Sequence, residues 1–262
     1  MRRWPLVLLM TLACAGCIRS TTLVTLRPDG SGTIDQQTGV KPEMVAMLKG
    51  FAQSSGKAGN ADLSKGLFTE QQARDAAAKM GVRFVSGEPV KTADMEGYHA
   101  RYAFDDITKV IMSMNQSTSS MGGSDAPSSK EPPFAFAFTR GASSSVLTIH
   151  LPDQKNASPL AQLPGGDDKD PQQAQQMLGM MSGMMAGLYI DVALALDGHI
   201  VKTDAPFVTG NRVTLMQMDF DTMMKDPTAL QKLQNSKSLA ALQGVPGLKV
   251  IGSPTVTIEF AK

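Results

Sequence analysis

The two cysteines, Cys14 and Cys17, are the residues whose type and spacing point most directly to chemistry. A Cys-x-x-Cys pair can form a redox couple, supply half of a metal site, or offer a thiol for attachment of lipid. A redox pair belongs at a helix N-terminus beside a βαβ pattern, and a zinc site needs two more Cys or His ligands at suitable spacing. The sequence provides neither context, so we favour modification of one thiol.

The residues that precede these cysteines form the pattern of an export signal. Arg2 and Arg3 give a positive start, and residues 4–13 form an apolar run that ends at small residues. The run is shorter than the roughly 20 apolar residues that a helix needs to cross a bilayer. We therefore predict that residues 1–16 are a signal peptide that is removed on export. An ordinary secretory signal with an incidental cysteine is the alternative.

The segment Cys14-Ala15-Gly16-Cys17 resembles the lipobox of bacterial lipoproteins, in which small residues precede a cysteine that receives lipid. Cys17 matches best, and Cys14 is the alternative site. The resemblance implies acyl chains on Cys17 that bind the membrane, and each buried methylene adds about 0.8 kcal/mol to the anchoring. It also implies a place in the cell envelope, on the periplasmic face. In a Gram-negative cell that membrane is the outer one, since Ile18 rather than Asp follows the cysteine.

The composition of the remaining chain argues against several classes of function. Loss of residues 1–16 removes Arg2 and Arg3, so 25 basic residues become 23 against 24 acidic ones, and the net charge changes from +1 to −1. A nearly neutral protein has no electrostatic reason to bind nucleic acid. No second thiol remains to form a disulfide, so stability must come from a hydrophobic core. Trp4, the only Trp, also leaves with the signal, so aromatic platforms for sugars or bases are scarce.

A methionine-rich segment has the spacing of one helix face. It contains Met177, Met180, Met181, Met184 and Met185. A membrane span through this segment would include Asp191, which costs about 2.5–3.5 kcal/mol near the bilayer centre. Thioethers suit copper(I), but no His lies nearby, and core packing explains the pattern without a metal. The Met177–Met185 stripe is therefore predicted as core, as the wall of a pocket for an apolar ligand, or as a surface for a partner.

No group of residues in the sequence identifies a reaction. Strand alternation places His99 and His150 at solvent-facing positions, and His199 follows an Asp-Gly turn. The sequence lacks a Gly-x-Ser-x-Gly elbow, a phosphate loop and a dinucleotide-binding glycine pattern. We therefore predict no enzymatic activity, no catalytic residue, no metal site and no cofactor. A periplasmic hydrolase or a metal-handling protein is the alternative, and the hydrolase requires a cleft where His99 or His150 meets a carboxylate.

The elements that would position these residues are strands with a few helices. Pro and Gly in "PDGSG" predict a hairpin over Ser20–Val40. Residues 41–53 and 69–81 have helical spacing, the second with Thr69 as N-cap and Gly81 as its end. Later segments alternate apolar and polar residues, as strands do. We predict an α+β fold with a mainly antiparallel curved sheet and helices packed on it.

The chain is predicted to form one folded unit behind its signal. Residues 17–22 are assigned to a lipid-anchored tether, and residues 23–262 to a single α+β domain. Two polar segments, near 115–132 and 152–171, are rich in turn-forming residues and poor in apolar ones. Such segments bury too little apolar surface to order the chain, so both are predicted to be mobile linkers.

The folded part resembles bacterial envelope lipoproteins that combine an early "PDGSG" hairpin, a strand that ends in "FDDI", and an alternating last strand. The resemblance implies an envelope protein, but it implies no activity and no site residues. Our hypothesis from the sequence is a lipid-anchored, non-catalytic binding or scaffolding module. Its ligand would be an apolar molecule or another envelope protein, held by residues that the sequence does not identify.

Overall fold

The computed structural model describes residues 18–42, 45, 69–112, 134–151, 186–226, 228–229, 232 and 242–262. Strands account for 54% of these residues and helices for 15%. The strands are β1 (Ile18–Leu26), β2 (Gly32–Val40), β3 (Arg83–Lys91), β4 (Glu96–Phe104), β5 (Ala135–Arg140), β6 (Ser145–His150), β7 (Tyr189–Leu196), β8 (His199–Thr203), β9 (Val208–Thr209), β10 (Arg212–Asp219), β11 (Leu248–Val250) and β12 (Thr255–Ala261). The helices are α1 (Glu70–Met80) and α2 (Phe220–Met223), with a 3₁₀ turn at Ile107–Lys109.

The larger sheet has eight strands and places β1 near its middle. Its hydrogen-bonded order is β11-β10-β7-β1-β2-β4-β3, and the short β9 pairs with β10. Neighbouring strands are antiparallel, except that β1 and β7 run parallel. The register sets Arg19 of β1 between Gly39 of β2 and Tyr189 of β7. The first residues of β1 therefore have a strand on each side.

The predicted hairpin is confirmed as β1 and β2, and its turn explains the register. The backbone N–H of Arg27 donates to the carbonyl of Ser31 at 2.8 Å. Gly30 has a φ of 90°, in the left-handed region that favours glycine. The Asp29 carboxylate accepts hydrogen bonds from the Ser31 hydroxyl at 2.7 Å and the Ser31 N–H at 3.0 Å. These bonds lower the pKa of Asp29, because they stabilise its charged form.

One row of side chains across the larger sheet shows how the core is built. The row contains Phe84, Tyr102, Ile34, Val24, Leu194 and Val213, each from a neighbouring strand. Phe84 is partly buried and meets the edge of the Tyr102 ring at a centroid distance of 6.1 Å, and the other five side chains are buried. Such burial contributes about 25 cal/mol per Å² of apolar surface, so this inner face is a main source of stability.

The smaller sheet, in the order β5-β6-β12-β8, covers the same core. Alternate residues of β6 and β12 are fully buried and belong to the cluster that includes the inner face of the larger sheet. They are Leu147, Ile149, Val256, Ile258 and Phe260. The Ser145 hydroxyl at the start of β6 donates to the carbonyl of Pro28 in the β1–β2 turn at 2.8 Å. Two sheets therefore share one interior.

Helix α1 forms where the sequence predicts it, with both predicted caps. The Thr69 hydroxyl accepts from the N–H of Gln72 at 3.3 Å, and the Gln72 side chain accepts from the N–H of Thr69 at 2.9 Å. Gly81 ends the helix at a φ of 69°. The two hydrogen bonds between Thr69 and Gln72 satisfy two of the backbone donors that a helix start leaves free. The buried face of α1 lies on β3 and β4 through Ala73, Ala77 and Met80.

Our prediction of an α+β fold with helices packed on a curved sheet is wrong. The described part of the chain is mostly β, with α1 and α2 as its two helices and two sheets rather than one. The physical reason is that β6 and β12 also have one apolar face each. Those faces need cover, and they find it in the core shared with the larger sheet, so a second sheet takes the place that we assigned to helices.

Candidate functional site

Several residues that the sequence singled out lie outside the described residues. They are the lipidation candidates Cys17 and Cys14 and the Met177–Met185 stripe. The described chain begins at Ile18, which is already the first residue of β1. Residues 18–22, which belong to the segment assigned to a tether, are thus paired with β2 and β7. Any group attached to Cys17 is separated from this sheet by a single peptide unit.

A cleft lies at the end of the larger sheet where β1 starts, and we name it the start cleft. Its volume is about 420 Å³. Its lining includes Ile18, Arg19, Val40, Lys41, Asp94, Met95 and Tyr189. Pockets that bind small molecules have volumes of about 300–1,000 Å³, so the start cleft is large enough for one. Its wall combines aliphatic, aromatic and cationic groups.

Arg19 and Tyr189 begin a chain of polar contacts that runs from the start cleft along the outer face of the larger sheet. The Arg19 guanidinium lies 4.8 Å from the centre of the Tyr189 ring. The Tyr189 hydroxyl donates to Oδ2 of Asp191 at 3.4 Å, and the Arg212 guanidinium donates to the same oxygen at 2.7 Å. Burial, and then the Asp191 charge, raise the pKa of Tyr189. Both effects favour the neutral phenol of Tyr189, and the exposed Arg19 guanidinium lies over its ring.

Asp191 is the most constrained charge in this chain of contacts. Its side chain is 14% exposed. Its Oδ1 atom is buried without a hydrogen-bond partner, although Oδ2 has two. A buried acceptor without a partner costs about 1–3 kcal/mol, so the ion pair with Arg212 has to offset that cost. The pair holds a hydrogen-bond acceptor beside Tyr189, which lines the start cleft.

Met95 forms the opposite wall, and a glycine makes room for it. A Cβ atom added to Gly39 would lie 2.5 Å from Cγ of Met95, so any other residue at this position would force the Met95 side chain to move. The Gln37 amide contacts the Met95 sulfur at 4.0 Å. Met95 ends the tight β3–β4 turn, where the Thr92 N–H donates to the Met95 carbonyl at 2.8 Å. An adaptable thioether is therefore held at a fixed position beside the cleft.

A second cleft of about 420 Å³ lies at the other end of β1, beside the β1–β2 turn. We name it the turn cleft. Its defining residues are Arg27, Asp29, Arg140, Ser144, Asp197 and Phe260. Its lining is mostly charged and hydroxyl groups, and the Ser144 hydroxyl donates to Glu259 at 2.6 Å. The two clefts have equal volume, but the start cleft has more aliphatic and aromatic wall.

A smaller cavity of about 80 Å³ lies between α1 and the larger sheet. Met80, Tyr98 and Tyr102 line it, with Gln36 and Gln72 as polar groups. Burial raises the pKa of Tyr98, and it raises the pKa of Tyr102 to about 12. The cavity is well below the volume of ordinary ligand sites, so it is a packing gap that holds a few water molecules at most.

The structure does not bring the three histidines together. His99 lies in β4 of the larger sheet, whereas His150 and His199 pair with opposite ends of β12 in the smaller sheet. His99 is 3.4 Å from Asp35 and 3.6 Å from Glu88, measured from its two ring nitrogens. This group lies on the outer face of the sheet and lines none of the three cavities described above.

The described residues also lack two features that a function could use. They contain no group of three or more His, Cys, Asp or Glu side chains arranged to hold a metal ion. In the same part of the chain, no helix has the length and apolarity to span a membrane. With a volume of about 420 Å³ and a lining of apolar and cationic groups, the start cleft is the described feature that best fits a binding site. Of its residues, sequence reasoning singled out only Ile18, and for its place after Cys17.

Comparisons with known proteins add one structural likeness. No family model matches the chain, and no curated protein matches it. The chain is similar to the folded domain of the Mycobacterium tuberculosis protein LppM, solved by NMR, with a TM-score of 0.37 and 10% sequence identity. The alignment covers 94% of this chain and 91% of that one. At these values the likeness assigns neither a family nor a function.

Proposed function

We propose that the protein is a lipid-anchored, non-catalytic binding module of the bacterial cell envelope, and that the start cleft holds its ligand. Acyl chains on Cys17 supply the anchor, on the periplasmic face of the membrane. In a Gram-negative cell that membrane is the outer one. The supporting observation is the position of the cleft, because its wall includes Ile18, the residue directly after Cys17. A site next to the anchor suits a ligand that comes from the membrane.

The lining of the start cleft favours a small amphiphile as that ligand. Ile18, Val40 and Met95 offer apolar contact. Arg19 and Lys41 offer cations, and hydrogen bonds from a cation to a phosphate or carboxylate are about twice as strong as neutral ones. A volume of about 420 Å³ holds a headgroup with a short length of acyl chain rather than two whole tails.

The anchor is tested by metabolic labelling with radioactive palmitate, followed by mass spectrometry of the purified protein. Cys17→Ser should abolish both the label and retention in the membrane fraction, since one acylated thiol is the whole anchor. Cys14→Ser is the matched control and should stay labelled. Label that persists in Cys17→Ser but disappears in Cys14→Ser would move the site to Cys14. A protein that is unlabelled in every form would contradict the proposal.

The ligand is tested on a secreted form with Cys17→Ser behind an ordinary signal peptide. Native mass spectrometry should detect bound lysophosphatidylethanolamine. Replacing Arg19 and Lys41 together by Gln should weaken binding by about tenfold or more, which corresponds to the loss of about 1.4 kcal/mol. Replacing Arg27 and Arg140 by Gln removes the same charge from the turn cleft and should leave binding unchanged. Equal losses in the two pairs would mean that the start cleft is not the site.

The alternative hydrolase lacks the cleft that we required of it, because His99 lies within ion-pair distance of Asp35 and Glu88 but lines none of the three cavities described above. A general base of this kind contributes about 10²–10⁴-fold to a rate, so His99→Gln should abolish hydrolysis of chromogenic esters or phosphate esters if this candidate is correct. His150→Gln is the control, since His150 is exposed and a ring nitrogen lies 3.4 Å from the Thr255 hydroxyl. Absence of hydrolysis in the natural protein would remove this candidate.

A further inference from the structure

We infer that the anchored domain stands end-on against its own membrane, with the start cleft open to phospholipid headgroups and the turn cleft directed away. The inference rests on the proposed acylation of Cys17, and it names both the ligand class and the orientation. Phospholipids of the anchoring leaflet are then the molecules that the start cleft binds.

The length of chain between anchor and sheet fixes which end of the domain meets the membrane. Consecutive Cα atoms are about 3.8 Å apart, and Ile18 already pairs with Val40 as the first residue of β1. Acyl chains on Cys17 therefore hold the start of β1 within a few ångströms of the headgroups. The nine residues of β1 extend for roughly 27 Å, so the turn cleft lies about that far from the anchored end.

The side chains at the start of β1 are of the kinds that suit a membrane surface. Tyr189 has an amphipathic ring, which is favoured at the level of the headgroups. Arg19 lies over that ring and is exposed, so its guanidinium is free to reach phosphate. Met95 and Ile18 add apolar surface beside them. Aromatic, cationic and aliphatic groups thus converge at the end that the anchor selects.

The charges of the start cleft match a zwitterionic headgroup. Arg19 and Lys41 are its cations and Asp94 its carboxylate. A headgroup such as that of phosphatidylethanolamine carries one phosphate and one ammonium, which these groups complement. Lys91 and Glu96, a register pair beside the same turn, cancel each other. Strong attraction to a purely anionic surface is not needed, because the acyl chains already supply the affinity.

Tryptophan fluorescence in reconstituted vesicles tests the orientation. Trp4 leaves with the signal, so a single introduced Trp reports without background. Ala93 and Ala142 are exposed residues at the start and turn ends, in the β3–β4 turn and between β5 and β6. Each is replaced by Trp in the full acylated protein, in vesicles of phosphatidylethanolamine and phosphatidylcholine with brominated tails. We expect clear quenching of Ala93→Trp and almost none of Ala142→Trp, which is roughly 27 Å further from the bilayer.

The outcomes separate this inference from the function on which it rests. Mass spectrometry first establishes that Cys17 carries acyl chains, and an unacylated protein would overturn both ideas. Acylated protein with equal quenching at the two positions, or with stronger quenching of Ala142→Trp, would overturn only the orientation. Arg19→Gln with Lys41→Gln should reduce quenching of Ala93→Trp, whereas Arg27→Gln with Arg140→Gln should not. Unchanged quenching of Ala93→Trp in the protein with Arg19→Gln and Lys41→Gln would show that the headgroups do not contact these cations.

Discussion

The two faces of the eight-stranded sheet differ more than its two ends do. On the inner face, Ile34, Val24 and Tyr102 form part of an uninterrupted buried row. One residue further along β2, Asp35 lies on the outer face, paired with Arg101 at 2.8 Å. The inner face is held by apolar area that water cannot reach, and the outer face by polar pairs that water can screen. The energetic effect of a substitution should therefore depend chiefly on which face it changes.

The first prediction compares adjacent residues on opposite faces of β2. Ile34→Ala should lower the free energy of unfolding by about 2–5 kcal/mol, because it removes buried methyl groups and leaves a cavity. Thr33→Ala, on the outer face, should change it by no more than about 0.5 kcal/mol. Urea denaturation of the two variants makes the measurement. Similar values for the two would contradict the difference that we assign to the faces.

The inner face could be predicted from the sequence, because its signal is local. Alternation marks the strands, and the "PDGSG" turn fixes the β1–β2 register. The second sheet could not be predicted, since the apolar face of a strand can be covered equally well by a helix or by another sheet. Strong apolar alternation in β6 and β12 was therefore consistent with either arrangement.

The start cleft shows a similar limit. The hairpin register alone places Arg19 opposite Gly39, so the sequence could predict that Gly39 lies beside the start of β1. It could not predict that Met95 packs over this glycine. Nor could it predict the place of Tyr189, because this residue reaches Arg19 through the parallel pairing of β7 with β1. These two residues are 170 positions apart, and no local pattern records such pairing. For this reason, a site formed by strands that are far apart in the sequence cannot be predicted from local sequence patterns.

The second prediction uses pH to probe the inner face through Tyr102. Burial raises the pKa of Tyr102 from 10 to about 12. Because the pKa of Tyr102 is higher in the folded protein than in the unfolded one, the stability that the neutral phenol contributes is fully present below pH 10. This stability is lost as the pH rises from 10 through 12, since the unfolded state releases its proton first. The loss amounts to roughly 3 kcal/mol. Tyr102→Phe removes this titration and should flatten the decline, as measured by urea denaturation at increasing pH.

The control for that measurement is Tyr189→Phe. Tyr189 is less buried than Tyr102, and its pKa is also raised, first by burial and then by Asp191. Its removal should alter the alkaline decline less than the removal of Tyr102. In a pH titration followed by tyrosinate absorbance, Tyr102 should ionise at a higher pH than the other tyrosines. A decline that is identical in the natural protein and in Tyr102→Phe would contradict the assignment to this residue.

The third prediction concerns Asp191, a carboxylate of the outer face whose side chain is 14% exposed. Arg212→Met leaves Asp191 without its cation, and with one oxygen already unpartnered the expected loss is about 2 kcal/mol of unfolding free energy. Adding Asp191→Asn neutralises the stranded carboxylate and should recover about half of that loss. A double-mutant cycle by urea denaturation measures the coupling. Strictly additive effects would mean that the two side chains are independent.

The smallest expected effect belongs to the exposed pair between Arg101 and Asp35. The Arg101 side chain is 52% exposed, and water and salt screen such pairs. Arg101→Ala should therefore lower the free energy of unfolding by less than about 1 kcal/mol, and added salt should reduce the difference further. Urea denaturation at low and high ionic strength makes the test. The control is Arg83→Ala, since Arg83 is an exposed residue of the neighbouring strand and has no ion pair among the described residues. A loss as large as that of Ile34→Ala would show that the outer face is held as firmly as the core, which exposed ion pairs alone cannot achieve.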